Sequence, residues 1–313
     1  MSDLRVLVTC PQMQNVFEQF RSRFDERGIA YDLPPVVQQP TEDELIAVIG
    51  GYDGMIAGDD PLSERVLSHA RRMRIISKWG VGTDGIDLAA ARSLGIAVTN
   101  TPGVFGEDVA DVAAGYLVVA ARQLHRIHDS VSEGGWFKYE GVGLAGKTLG
   151  IAGYGSIGAA LARRGKGFGM VVVAHDVEGL ARGRASSDGV EAVALEELFR
   201  RSDFLVLCLP LTAESRHIAN GRTLALMPEG SILVNVARGG LVDEAALVEA
   251  LESGRLAAAA LDVFAEEPLP AEHPLRRFPQ CVLGSHNASN TREGVLRTSQ
   301  LAVDNLLSGL ESQ

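Results

Sequence analysis

The chain has no apolar run long enough to cross a membrane. A transmembrane helix needs about 20 consecutive, mostly apolar residues, and no segment of this sequence approaches that length. The N-terminal residues, MSDLRVLVTC, pass directly into a strand-like pattern without the basic region, apolar stretch and cleavage site of a signal peptide. We therefore expect a cytoplasmic protein.

Aromatic residues and positive charge are both scarce. Aromatic residues make up 5% of the chain, and 29 Lys and Arg residues face 40 Asp and Glu residues, which gives a net charge of −11. Nucleic-acid binding needs cations for phosphates and commonly aromatic rings for bases. The composition thus argues against nucleic-acid and anionic membrane partners, and an anionic substrate must be held by a local cluster of positive charge.

Cysteine is also rare. Cys10, Cys208 and Cys281 are odd in number and widely separated, and each lies within or beside an apolar run. This pattern is typical of buried free thiols in a reducing compartment. No pair has metal-ligand spacing, so we expect no metal site.

What the sequence does contain is a repeated alternation of strand-like and helix-like segments. The length of 313 residues suggests about two domains, at roughly 150 residues each. Alternating strands and helices are typical of parallel βαβ units. The predicted strands are 5–9, 54–57, 75–78, 148–152, 170–174, 204–209, 232–236, 257–263 and 282–284. The predicted helices are 16–27, 63–69, 88–94, 107–133, 159–168, 195–200, 224–227, 244–251 and 292–312.

A glycine-rich turn in the middle of the chain predicts a dinucleotide site. The apolar strand 148–152 leads into Gly153-Tyr154-Gly155-Ser156-Ile157-Gly158, a helix begins on these glycines, and a second strand delivers Asp176. The helix N-terminus offers free N–H groups to a pyrophosphate, and the carboxylate accepts hydrogen bonds from ribose hydroxyls while it would repel a 2′-phosphate. We predict NAD as the cofactor. The residues predicted to bind it are Gly153, Gly155, Ser156, Ile157, Gly158 and Asp176.

The position of this fingerprint predicts the domain organisation. Residues 102–287 form a Rossmann NAD-binding domain, and residues 1–101, which lack a phosphate loop, form a second doubly wound parallel-sheet domain. We expect the C-terminal helix to return to that domain, so that it comprises 1–101 and 288–313. The helix 107–133 carries small and apolar residues on more than one face. It either joins two subunits of a homodimer or is buried within one monomer.

Three predicted strand ends carry polar residues suited to catalysis. The segments VNVARGGLVDE, ALDVFAEEP and LGSHNASN supply Arg238, Asp262 with Glu266 and Glu267, and His286. The carboxyl ends of parallel strands bind the ligand in doubly wound sheets. We therefore expect these loops to meet beside the nicotinamide.

These residue types suit hydride transfer between nicotinamide and C2 of a 2-hydroxy or 2-keto acid. An imidazole such as His286 exchanges protons near neutral pH, and Glu267 can hydrogen-bond its other nitrogen. The planar guanidinium of Arg238 makes two parallel hydrogen bonds to a carboxylate. Two glycines follow Arg238, and we expect them to clear space around it.

Taken together, the motifs resemble the D-isomer-specific 2-hydroxyacid dehydrogenase family, which includes phosphoglycerate, glycerate and D-lactate dehydrogenases. The resemblance runs nearly end to end, through KWGVGTDGIDLAAARSLGIAVTNTPG, GYGSIG and the three strand-end loops. It implies a flavodoxin-like substrate domain beside the Rossmann domain, and it implies His286 as acid/base, Glu267 as its partner and Arg238 as the substrate-binding cation. It further implies contacts to the cofactor from Pro210, Thr212, Ala237 and Asp262, and contacts to the substrate from Lys78, Val81 and Gly82.

Departures from the family pattern concern the substrate. Where phosphoglycerate enzymes usually carry an arginine, this chain has Gly58, Asp59 and Asp60, whose carboxylates would oppose a phosphate, although Lys78 could supply a compensating charge. We also expect no regulatory domain after residue 313. Two alternatives stay open: a corepressor-like NAD(H)-binding interaction protein without turnover, and a formate- or phosphite-type dehydrogenase. The sequence leaves open the physiological direction and the oligomer size.

Overall fold

A computed structural model describes residues 3–36, 39–177 and 179–311. Its strands are β1 (Arg5–Val8), β2 (Ala30–Asp32), β3 (Gly54–Ala57), β4 (Ile75–Lys78), β5 (Ala97–Thr99), β6 (Thr148–Ala152), β7 (Val171–His175), β8 (Glu191–Ala192), β9 (Phe204–Leu207), β10 (Ser231–Asn235), β11 (Leu256–Leu261) and β12 (Val282–Leu283). Its α-helices are α1 (Pro11–Val16), α2 (Arg21–Asp25), α3 (Glu42–Val48), α4 (Glu64–Leu67), α5 (Leu88–Ser93), α6 (Gly106–Arg122), α7 (Leu124–Ser132), α8 (Ser156–Gly167), α9 (Gly179–Ser187), α10 (Leu195–Arg201), α11 (Gly221–Leu224), α12 (Glu244–Glu252) and α13 (Arg292–Glu311).

The chain divides into two compact units. Unit 1 comprises Met1–Val104 and Asn290–Gln313, and unit 2 comprises Phe105–Ser289. The domain limits predicted from the sequence lie within a few residues of these unit limits. That each unit is an independently folding domain stays a prediction. Residues 1–2, 37–38, 178 and 312–313, which belong to the predicted domains, lie outside the described residues.

Unit 1 is built on a five-stranded parallel sheet. Its strand order, β2-β1-β3-β4-β5, is that of flavodoxin-like doubly wound folds. The residues of β3 and β4 are all buried, which explains the apolar sequence of β3 and of the first half of β4, and the two polar residues of β4, Ser77 and Lys78, have hydrogen-bond partners. The C-terminal helix α13 packs on these two strands, and Ser77 Oγ donates a hydrogen bond to the carbonyl of Ala302 at 2.8 Å.

Unit 2 is built on a seven-stranded parallel sheet of Rossmann order. The strands run β12-β11-β10-β9-β6-β7-β8, so the order reverses between β6 and β9. Ligands of such sheets bind outside the carboxyl ends of the strands at this reversal. The predicted fold class, two doubly wound parallel-sheet units with the first one discontinuous in sequence, is confirmed.

Some predicted elements differ from the structure. The predicted helix 107–133 is wrong as a single helix, because Gln123 adopts a left-handed backbone conformation (φ 51°) that separates α6 from α7. The predicted helix 16–27 is wrong as a single α-helix, because α1 (Pro11–Val16) ends where it was expected to begin and a 3-10 turn, Phe17–Gln19, separates α1 from α2. Pro11 lies in the first turn of α1, where its missing N–H is not needed. The sequence does not predict the strands β2, β5 and β8, since each has only two or three residues and none of these residues is fully buried.

All three cysteines are free thiols, with Cys10 and Cys281 buried and Cys208 partly buried. Among the helices in the described part of the chain, none combines the length and apolar character that spanning a membrane requires.

Candidate active site

The predicted phosphate loop joins β6 to α8 at the reversal of the strand order. Gly153 has a φ of 95°, which favours glycine, and a Cβ there would lie 2.8 Å from the carbonyl carbon of Cys208 in the loop after β9. A Cβ on Gly158 would collide with the carbonyl oxygen of Gly153, so the helix can approach the loop only without a side chain. A Cβ on Gly155, by contrast, would have no neighbour within 4 Å. The loop therefore leaves open space at the N-terminus of α8, where Ser156 and Ile157 begin the helix.

Asp176 lies one residue beyond β7 and is partly buried. Its Oδ2 accepts a hydrogen bond from the backbone N–H of Tyr154 at 2.6 Å. This bond ties the acidic residue to the glycine loop and fixes the carboxylate beside it. An open glycine loop at a helix N-terminus and an acid after the second strand together fit the pyrophosphate and ribose of NAD.

Arg238 follows β10 in a turn organised by a buried asparagine. The Asn235 side chain accepts from the N–H of Ala237 at 3.1 Å and donates to the carbonyl of Arg238 at 2.8 Å. The guanidinium donates to the carbonyl of Ala237 at 2.7 Å. The turn therefore fixes the backbone on both sides of Arg238, and Ala237 lies within it.

The glycine after Arg238 has a different role from the predicted one. A Cβ on Gly239 would overlap the carbonyl group of Phe264 and the backbone nitrogen of Ala265, whereas a Cβ on Gly240 would meet only side-chain atoms of Leu211 and Arg216. Because Gly239 has no side chain, the backbone of the loop that follows β11 can pack directly against it. The expectation that both glycines clear space around Arg238 is wrong for Gly239, because the space serves this backbone contact.

His286 and Glu267 form the tightest polar pair among the candidate residues. The Nδ1 atom of His286 lies 2.7 Å from Oε2 of Glu267, and both side chains are about one quarter exposed. The other oxygen of Glu267 accepts from the N–H of Phe264 at 2.9 Å. Because both carboxylate oxygens are engaged, the glutamate holds the imidazole in a fixed orientation.

Asp262 lies directly after β11 and is 2% exposed. Its Oδ2 accepts from the N–H of Ala288 at 2.8 Å and its Oδ1 from the hydroxyl of Tyr116 at 3.0 Å. Its backbone carbonyl accepts from the N–H of His286 at 2.7 Å. The aspartate therefore anchors the turn that carries His286.

In unit 2 the three strand-end loops come together as expected, since β10, β11 and β12 are neighbours. Pro210 and Thr212 lie after β9 in a turn held by Ser215, whose hydroxyl accepts from the N–H of Thr212 at 2.7 Å and donates to the carbonyl of Pro210 at 2.8 Å. Glu266, the neighbour of Glu267, is exposed.

The predicted substrate contacts of unit 1 lie at the end of β4 and shortly after it. Lys78 is buried, and its Nζ lies 3.0 Å from Oδ1 of Asp59 and 3.0 Å from the carbonyl of Trp79. The charge that the sequence offers as compensation for a phosphate is thus already paired with Asp59. Val81 and Gly82 follow β4, and the side chain of Asn100 donates to the carbonyl of Val81 at 2.7 Å.

Asp60 is buried rather than exposed to a ligand. It is 1% exposed, its Oδ2 accepts from the hydroxyl of Thr9 at 2.8 Å, and burial raises its pKa to about 6. The interpretation of Asp59 and Asp60 as two free carboxylates is therefore wrong, since one is paired with Lys78 and the other lies in the core of unit 1.

Two contributors were missed from the sequence. Asn235 was missed although an asparagine ending an otherwise apolar strand is itself a signal for a capped turn. Tyr116 was missed because nothing in the sequence links α6 to the end of β11.

Comparisons with known proteins agree with this geometry. A sequence profile of "D-isomer specific 2-hydroxyacid dehydrogenase, NAD binding domain" matches residues 114–288. The chain is 45% identical over 251 residues to a glyoxylate reductase of Aeropyrum pernix, covering 77% of this chain and 75% of that one. It is 38% identical over 311 residues to a glyoxylate reductase of Korarchaeum cryptofilum, covering 97% and 92%.

A solved structure shows the same fold with ligands. The D-lactate dehydrogenase of Aquifex aeolicus, complexed with NAD and lactic acid, superposes with a TM-score of 0.85 at 27% identity, covering 98% of this chain and 96% of that chain. The family profile covers more than half of the sequence, and the relatives extend the match across it. The chain belongs to the D-isomer-specific 2-hydroxyacid dehydrogenases and is an NAD-dependent enzyme of that family.

Proposed function

We propose that this enzyme interconverts a small, unphosphorylated 2-hydroxy acid, of D configuration where C2 is a stereocentre, and its 2-oxo acid, with glyoxylate as the first candidate among the 2-oxo acids. The observation that carries this proposal is the pair formed by His286 and Glu267 within the loops that follow β11 and β12. An imidazole held by a carboxylate on one nitrogen presents the other for proton transfer.

The proposed mechanism assigns one task to each residue. NAD supplies or accepts the hydride when it is bound. Glu267 keeps the proton of the imidazole on Nδ1, so that Nε2 of His286 gives a proton to the substrate oxygen during reduction and takes it back during oxidation. Arg238 pairs with the substrate carboxylate and stabilises the negative charge that develops on the oxygen.

The remaining candidates bind rather than react. We propose that Asp176 accepts hydrogen bonds from the ribose of NAD, and that the N–H groups of Ser156, Ile157 and the surrounding glycine loop bind the pyrophosphate. Pro210, Thr212, Ala237 and Asp262 remain proposed cofactor contacts, and the N–H groups at Val81 and Gly82 remain proposed contacts of the substrate carboxylate.

The charge balance of unit 1 supports an unphosphorylated substrate. A second, phosphate-sized anion on the substrate needs a cation, and Lys78 is already paired with Asp59. A neutral group at the end of the substrate that is remote from its carboxylate needs no such cation. The names of the two glyoxylate reductases point in the same direction, and the two relatives are similar to this chain over most of its length.

A panel of keto acids tests this proposal. With NADH, we expect turnover of glyoxylate and of the slightly larger hydroxypyruvate, and a kcat/KM for 3-phosphohydroxypyruvate at least about 10-fold lower, since its phosphate would lack a partner. Loss of nicotinamide absorbance is the measurement. A preference for the phosphorylated acid would contradict the proposal. Absence of turnover with any keto acid would favour the alternative of a corepressor-like NAD(H)-binding protein. NAD reduction by formate or phosphite would favour the alternative of a formate- or phosphite-type dehydrogenase.

We further propose that the enzyme is a homodimer, with an interface formed by α7, which lies within the predicted segment 107–133, and by the residues that follow it. Most apolar residues of α6 are buried within unit 2, where the helix packs on α8, whereas Val112, Val118 and Val119 are only partly buried. The following helix α7 has no buried residue, and the segment after it exposes Trp136 by 80% and Phe137 by 69%. Contiguous exposed apolar groups mark interaction surfaces, and a second copy of the chain is the commonest partner.

Replacing Trp136 by aspartate should weaken this dimer. We expect the dissociation constant to rise by at least about 30-fold, because a buried indole at the centre of an interface typically contributes 2 kcal/mol or more. Sedimentation of the variant at micromolar concentration measures the change. The matched control is Val48→Asp, a change of another partly exposed apolar residue in α3 of unit 1, which should leave the mass unchanged. A Trp136→Asp variant with unaltered mass would refute this interface.

A further inference from the structure

The turn that carries His286 is held by a network that reaches back to α6. The N–H of His286 donates to the backbone carbonyl of Asp262 at 2.7 Å, and the N–H of Ala288 donates to its carboxylate at 2.8 Å. Two amides on either side of Asn287 are thus fixed by one residue. His286 itself has a φ of 55°, a conformation that non-glycine residues rarely adopt. The two hydrogen bonds donated by these backbone N–H groups hold the histidine in this conformation.

The orientation of Asp262 depends in turn on Tyr116. The tyrosine hydroxyl donates to Oδ1 at 3.0 Å, which leaves Oδ2 directed at Ala288. Tyr116 lies in the middle of α6, far from the strand-end loops in sequence. Burial, followed by the charge and hydrogen bond of Asp262, raises the pKa of Tyr116, so the hydroxyl stays protonated and remains a donor.

The surrounding backbone is shaped to this contact. A Cβ on Gly284, between β12 and His286, would overlap both the Tyr116 hydroxyl and Oδ1 of Asp262. The tyrosine, the aspartate and the glycine come from three separate parts of unit 2, and the missing side chain of Gly284 leaves room for the contact between Tyr116 and Asp262. A phenylalanine at position 116 would fill the same space but would leave the carboxylate without this donor.

We propose that Tyr116 is a positioning residue for catalysis, acting through Asp262 on the turn that places the His286 imidazole. This inference rests on the proposed acid/base role of His286. It extends the site to a hydroxyl that does no chemistry itself and that lies on a helix outside the three strand-end loops.

The test is Tyr116→Phe, which removes one oxygen atom. We expect kcat to fall about 10-fold, short of the roughly 10²-fold that a 1 Å displacement of a catalytic group can cost, with the KM for NADH changed less than twofold. The matched control is Tyr52→Phe, because the Tyr52 hydroxyl likewise donates to an aspartate, Asp32, at 2.9 Å, but does so in unit 1. An unchanged kcat, or a loss confined to NADH binding, would overturn the proposal.

A double-mutant cycle identifies the route of the effect. In an Asp262→Ala background the hydroxyl has no carboxylate to orient, so adding Tyr116→Phe should lower kcat no further. Multiplying losses would show that Tyr116 acts independently of Asp262 and would overturn the proposal.

A spectroscopic measurement separates this inference from the proposed reaction. The proton shared by Nδ1 of His286 and Glu267 should give a strongly deshielded NMR resonance, assigned by its loss in His286→Ala. Tyr116→Phe should broaden or shift this resonance and Tyr52→Phe should not. The readout is independent of turnover, so it tests the link to Tyr116 even if His286→Ala were to retain activity and contradict the proposed function. A resonance unchanged by Tyr116→Phe would overturn the link.

Discussion

Replacing His286 by alanine should lower kcat by about 10³-fold while NADH binds with nearly unchanged affinity. General acid–base catalysis by a positioned side chain contributes about 10² to 10⁴-fold, and the imidazole has a carboxylate partner at 2.7 Å that holds it ready for this task. The glycine loop and Asp176, which we propose to bind NADH, lie in a different part of the unit 2 sheet, after β6 and β7. Steady-state kinetics with glyoxylate, together with NADH fluorescence titration, measures the two effects.

The matched control is His69→Ala, since His69 is an exposed histidine of unit 1. Its rate should equal that of the unmodified enzyme. Glu267→Gln should give an intermediate loss, because the amide keeps the size of the side chain but no longer fixes the imidazole with a negative charge. A His286→Ala enzyme with most of its rate would remove the basis of the proposed mechanism.

The second large effect is expected from Gly239→Ala. The added methyl group would overlap the backbone of Phe264 and Ala265, and backbone cannot move aside as a flexible side chain does. Any shift of Phe264 also disturbs its N–H bond to Glu267, and through Glu267 the imidazole. We expect kcat to fall by at least about 10²-fold and stability to fall by about 1–3 kcal/mol or more. Thermal unfolding and steady-state kinetics measure these changes.

The adjacent residue provides the control for this prediction. In Gly240→Ala the added methyl group meets only the side chains of Leu211 and Arg216, which can adjust. Its kcat should stay within a few-fold of the unmodified enzyme. Equal behaviour of the two variants would mean that the Arg238 and Glu267 loops are not coupled through Gly239.

The sequence was most informative where one local rule determines the outcome. The predicted and observed boundaries of β3, β4 and β6 agree, because strands buried on both faces are mostly apolar. Ser77 and Lys78 at the end of β4 are buried polar exceptions that have hydrogen-bond partners. The glycine fingerprint identified its loop because Gly153 is required by its backbone angle and Gly158 by a close approach, while Gly155 leaves open space at the helix N-terminus. His286 and Glu267 could be paired because they follow neighbouring parallel strands.

The sequence was least informative where distant segments meet. The bond between Tyr116 and Asp262 spans 146 positions, and a tyrosine within an apolar helix gives no sign of its partner. The sequence does not show that the charge of Lys78 is paired with Asp59, because the two residues lie 19 positions apart on different segments. Gln123 ends α6 without a glycine, so the break between α6 and α7 has no sequence signal of the usual kind.

The three thiols have a practical consequence for handling the enzyme. Burial raises the pKa of Cys10 and Cys208 to about 12 and that of Cys281 to about 11, so almost no thiolate exists at neutral pH. Because the thiolate is the form that alkylates and oxidises, the buried Cys10 and Cys281 should resist both reactions in the folded protein, and the raised pKa of the partly buried Cys208 should slow them there. A single cysteine introduced on the surface would accept a maleimide dye selectively, without first removing the native ones.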